Sequence, residues 1–152
     1  MGIVCWGNPI ISVDLTSGKI TKEVIDEKRV PVCTEALKLI SRLRSALIQD
    51  TLEDSLNFVR QQDAWFWQNI AFLPHKFSDK WLSIKLGLRR AILFEKVQAA
   101  MVNGPDRDRR IEELVDLQSF MGHLAKEAER EIRNELCLPE VKIEHPHKIK
   151  KS

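Results

Sequence analysis

The sequence predicts a mainly α protein: an antiparallel helical bundle with a small β-hairpin at its N-terminal end. Two long stretches in the second half of the chain place apolar residues three and four apart, the spacing by which a helix buries one face. Asn103-Gly104-Pro105 separates them, a glycine C-cap followed by a proline, where the first of them stops. Near the beginning, β-branched and polar residues alternate instead, with the period of a strand.

Taken in order, residues 10–15 (IISVDL) and 20–25 (ITKEVI) are the two expected strands, joined through a tight turn at Ser17-Gly18. Pro31 ends this extended region. Thr34 is the expected N-cap of a first helix that carries Leu37, Ile40, Leu43/Arg44 and Leu47 on one face and runs to about Gln49. Asp50 or Thr51 caps a further segment through Leu52, Leu56 and Val59, either a second helix or the continuation of a bent one. Aromatic residues crowd 63–77, where a short helix runs into a connecting loop. Ser78 has the pattern of a helix start, with Phe77 and Leu82 in hydrophobic-staple positions, and that helix stops near Asn103. The last helix runs from about Asp106 or Asp108 to Glu135, its early acids suiting the helix dipole, and Leu138-Pro139 breaks it. The expected organisation is one helical domain over residues 1–138, its hairpin at about 10–25, and a flexible basic tail over 139–152.

With 43% hydrophobic and 30% charged residues, the composition is that of a globular domain and argues against disorder over the main body. The net charge of +2 reflects near balance, and acids interleave with the arginines and lysines. That balance argues against nucleic acid and membrane surfaces as partners. No apolar run reaches the roughly 18 residues of a membrane helix. Cys5, Cys33 and Cys137 lack the spacing of a disulfide framework or a zinc site, and no signal-peptide pattern opens the chain. A cytoplasmic setting is the simple expectation.

The helix from Ser78 has a charge in its apolar stripe. One face reads Trp81, Ile84, Leu88, Ala91/Ile92, Glu95, Ala99 and Val102. A carboxylate is almost never buried unless paired, protonated or bound to metal. Either Glu95 escapes sideways, or a positive group meets it inside. A second stripe runs through Leu82, Leu86, Leu93, Val97 and Ala100/Met101, leaving a narrow basic strip of Lys85, Arg89 and Lys96. A helix covered on two sides is expected to be central. The last helix buries Ile111, Leu114/Val115, Met121, Ala125, Ala128 and Ile132, with Leu117, Phe120 and Leu124 widening that face. The short connection makes the two helices antiparallel neighbours. Glu113 and Asp116, one turn apart, can converge on a cation, and a carboxylate from the facing helix would complete an oxygen-rich Mg²⁺ cage.

The segment 112–127, EELVDLQSFMGHLAKE, resembles the second half of the MazG-type all-α NTP pyrophosphohydrolases, in which a glutamate, two residues and an aspartate open an apolar helix. Residues 82–96, LSIKLGLRRAILFEK, resemble the preceding helix of a related nucleotide-modification-associated group. The likeness spans about residues 60–130. It implies Mg²⁺-dependent hydrolysis of a nucleoside triphosphate between the α- and β-phosphates. Glu95 and Glu113 would be catalytic. Together with Asp116 and Glu112 they would hold the metal, and Lys85 and Arg89 would meet the phosphates. A homodimer is the expected assembly.

The rival expectation is a non-catalytic helical adaptor that meets a protein partner through an apolar helix face. The aromatic cluster Trp65, Phe66, Trp67, Phe72, Phe77 and Trp81 suits it, although core packing accounts for most of these residues. Glu95 would then pair with an arginine such as Arg90 or Arg110. A nucleic-acid-associated helical protein is the third alternative.

Overall fold

The structure, a computed structural model, describes residues 22–138, and side chains from residue 27 onward. Five α-helices make up this region: α1 (Lys22–Gln49), α2 (Leu52–Gln61), α3 (Asp63–Asn69), α4 (His75–Ala100) and α5 (Pro105–Glu135), with a 3-10 turn at Ile70–Phe72 between α3 and α4. The described residues contain no strand. The mainly helical expectation holds for them. Most of the expected β-hairpin, residues 10–21, and the expected tail, 139–152, lie outside the described residues. The end of its second strand does not: residues 22–25 belong to α1.

Pro31 does not end an extended region either; it lies inside α1. An internal proline removes one backbone hydrogen bond and crowds the preceding turn, at a cost of about 3 kcal/mol. Burial along α1 outweighs it: Cys33, Ala36, Leu39, Ile40, Leu43 and Ala46 all enter the core. This face is rotated from the expected one, so that Leu37, Arg44 and Leu47 fall at its margin. Thr34 is no cap: its hydroxyl donates to the Val30 carbonyl four residues back, at 2.8 Å. Thr51 is a cap. Its side chain accepts from the Asp54 N–H at 3.1 Å, which separates α2 from α1 as a helix of its own.

The helix containing Glu95 begins at His75, directly after Pro74, rather than at Ser78. Ser78 is buried in its first turns, and its N–H donates to the Pro74 carbonyl. The proline supplies the break expected of a staple. Phe77 is spent on the core instead, where it lies 5.9 Å from Trp81, centroid to centroid, while Phe66 of α3 lies 6.2 Å from the same indole. α5 starts at Pro105, just ahead of the expected Asp106 or Asp108, and both aspartates occupy its first turn.

α4 and α5 form an antiparallel hairpin, and one side of it is covered by α1, α2 and α3. Gly87 sets the close approach of the two long helices. A Cβ built there would lie 2.9 Å from both Cγ and Sδ of the fully buried Met121. Gly87→Ala gains about 1 kcal/mol of helix propensity and loses a comparable amount in this contact, so near-neutral stability is expected. Gly87→Val adds branched bulk that Met121 cannot clear, and urea denaturation should show a loss of about 2 kcal/mol.

Candidate functional site

No residue from 92 to 113 is buried. The last buried residue of α4 is Ala91 and the first of α5 is Leu114, so the end of the hairpin projects beyond the shared core. This explains Glu95. It continues the face of Leu88 and Ala91, seven and four residues earlier, but the helices that cover that face have ended. Glu95 is exposed, and it pairs with neither Arg90 nor Arg110; Arg110 is bonded to Glu113 at 3.3 Å.

The other candidate residues are distributed as follows. Lys85 donates to Asp63 Oδ2 of α3 at 2.7 Å and is largely shielded. It ties α3 to α4. Arg89, Glu112 and Asp116 are exposed. Glu113 and Asp116 precede the exposed Phe120 by seven and four residues and share its face. That face is the outer side of the hairpin, opposite the side that Glu95 continues. Among the described residues, no three His, Cys, Asp or Glu side chains gather as a metal site. A groove of about 370 Å³ at the hairpin end is lined by Met101, Asp106, Arg109, Arg110 and Glu113. Its charges already meet one another, Arg109 with Asp106 and Arg110 with Glu113.

The buried carboxylate is Glu129, 8% exposed, on the side of α5 that faces α1. Arg44 donates to its Oε1 at 2.9 Å, Arg133 donates to Oε2 at 3.1 Å, and Ser41 adds a longer bond at 3.4 Å. Burial alone would push this carboxyl up. The hydrogen bonds and charges of the two arginines outweigh burial and hold it below the ordinary glutamate value. Near the end of α5, Glu135 behaves oppositely. Burial pushes it up, Arg29 at 3.8 Å counters only in part, and Glu131 adds to the rise. Cys33 is buried in α1 beside this pair, and its thiol is pushed up to about 12, chiefly by burial. A thiol so raised is a packing group and a donor to the Phe72 carbonyl, not a nucleophile.

The outer side of the hairpin stands out. Leu86, Leu93 and Val97 of α4 form one stripe, seven and four residues apart, and Leu86 and Leu93 are 60% and 59% exposed. Phe120 of α5 is 55% exposed. Helical counting from the buried faces of both helices places all four on the side turned away from α1 and α2. The sequence marks the Leu86–Val97 stripe as apolar, but not as uncovered. Phe120 was expected to widen the inner face of α5 and lies on the outer one. Trp67 is also exposed, while Phe66, Phe77 and Trp81 are core residues. Among the described residues no helix is long and apolar enough to cross a membrane. No family model matches this sequence, and no curated protein or solved structure does either.

Proposed function

We propose that this chain is a helical interaction module that meets a protein partner through the outer side of the α4–α5 hairpin. One observation carries the reading: Leu86, Leu93 and Val97 form an exposed apolar stripe along α4, turned away from its buried face, and Phe120 of α5 is exposed on the same side of the hairpin. Scattered exposed hydrophobics are normal, but a contiguous patch with a charged rim is the signature of a contact surface. Arg89 and Lys96 on one flank of the stripe, and Arg90 with Glu113 and Asp116 of α5 on the other, supply that rim. Nothing in the geometry favours phosphate chemistry to a similar degree, since Lys85 is engaged by Asp63 and Glu113 by Arg110.

Photo-crosslinking tests the reading. A benzophenone side chain in place of Leu93 should give a defined protein adduct in cells, identified by mass spectrometry. The same group in place of the exposed Lys38 of α1 should not. Absence of an adduct from position 93, or an equal one from position 38, would sink the proposal.

A further inference from the structure

Between Leu86 and Val97 the outer side of α4 carries three cations and no carboxylate. Arg89, Arg90 and Lys96 are exposed, and none of them has an ion pair among the described residues. Glu95, the one acid of this stretch, continues the inner face instead. The cations stand in a fixed relation to the apolar stripe. Leu86 and Leu93 fit the d positions of a heptad pattern and Val97 the a position after them. Arg90 then takes the intervening a position, between the stripe and α5. Arg89 and Lys96 take successive g positions on the opposite flank. α5 differs. Glu113, Asp116 and Glu127 share the face of Phe120, while Arg109 and Arg110 lie at the same end of the helix, paired with Asp106 and Glu113.

Resting on the proposed contact surface, we infer that its occupant is an acidic amphipathic helix of another protein, laid along α4 as the second strand of a short coiled coil. From Leu86 to Val97 the seam runs about 16 Å, or three turns of helix. Apolar groups at a and d close such a seam, and charges at e and g choose the partner. With a cation at both g positions, the matching edge of the partner carries a carboxylate in each heptad. Arg90 lies in the seam itself, where a cation without a counter-charge is costly, so the partner sets a carboxylate opposite it. These charges select partner and register more than they add affinity. An anionic plane, whether lipid or nucleic acid, complements this side less well. It would press on Glu113, Asp116 and Glu127 of α5 together with the three cations. A single helix over the α4 seam need not cover those acids.

Two designed helical peptides test the inference against the full chain. Both carry valine at a, leucine at d and one central glutamate at an a position to meet Arg90. One has glutamate at every e and g position and the other lysine, so that like charges keep each from pairing with itself. By fluorescence anisotropy the glutamate peptide should bind with a Kd on the order of 10 μM, at least about tenfold more tightly than the lysine peptide. Arg89→Glu/Lys96→Glu should reverse that order, and Leu93→Glu should abolish binding of both. Helical circular dichroism should be unchanged in these variants, because all three residues lie outside the core. Equal binding of the two peptides, no binding of the glutamate peptide up to about 100 μM, or an unreversed preference in the charge-swapped chain would overturn the acidic helix as occupant. Binding to phosphatidylserine vesicles that exceeds peptide binding and is lost in Leu93→Glu would do so as well. A protein crosslinked to position 93 that has no acidic helix would overturn it while leaving the contact surface itself standing.

Discussion

Trp81→Ala should lower the free energy of unfolding by about 3–5 kcal/mol, the cost of deleting a large buried aromatic side chain. That is a large share of the 5–15 kcal/mol available to a typical domain. Trp81 is 1% exposed and is stacked between Phe66 and Phe77, with interplanar angles of 15° and 25°. It joins α3 to the first turns of α4, so its loss opens a cavity that neither helix can close alone. Its indole Nε1 is buried without a hydrogen-bond partner, which already costs the native state. Trp81→Phe removes that unsatisfied donor while keeping an aromatic ring in the stack. It should cost far less than Trp81→Ala, on the order of 1 kcal/mol. Equilibrium urea denaturation followed by far-ultraviolet circular dichroism separates the two. Equal losses for the alanine and phenylalanine variants would show that the ring stack contributes nothing beyond its indole-specific contacts.

Much of the fold is legible in the sequence because it is written in local terms. Thr51 caps α2 through its own side chain, and Pro105 begins α5 at the one place where a proline costs a helix nothing. α1 was harder to read. A proline and an alternating stretch argue locally for extended chain, and only burial of Cys33, Ala36 and Ile40 against distant residues overrides them. That information is tertiary. The same holds for α4, where Ser78 and Phe77 carry a start signal that the core claims for packing.

Candidate residues were less legible, and Glu95 shows why. A stripe on a helical wheel says which face is apolar, but not where the covering helices end. Beyond Ala91 no residue of α4 is buried and Glu95 is exposed, so the odd charge needs no partner. The second stripe, Leu86, Leu93 and Val97, has the converse problem: it reads as buried, and within one chain it is not. The buried carboxylate did leave a trace. Glu129 interrupts the face of Ala125, Ala128 and Ile132, and Arg44 interrupts the face of Ile40 and Leu43. Opposite charges on the inner margins of two helices call for each other, and that pairing was available to be found.

Glu129→Ala should therefore destabilise the protein where Glu95→Ala does not. Breaking a buried ion pair by removing one partner typically costs about 3–5 kcal/mol. Here the side chain of Arg44 is 38% exposed and can regain water, which discounts the loss to about 2–3 kcal/mol. Combining Glu129→Leu with Arg44→Met removes the stranded charge and should recover part of it. The pH dependence has a definite sign. Because the arginines depress the folded-state value of Glu129, its contribution is complete above the ordinary glutamate value and is lost as pH falls through the depressed one. Glu135 acts in reverse. Its folded-state value is raised, so its ionisation penalises the native state above that value, and the penalty is relieved as pH falls through it. In the difference between wild type and Glu129→Ala the Glu135 contribution cancels. That difference should be widest near neutral pH and should narrow on acidification below the ordinary glutamate range. Denaturation curves from pH 7 downward measure it; a difference that stays constant would mean that Glu129 is held by packing and not by its charge.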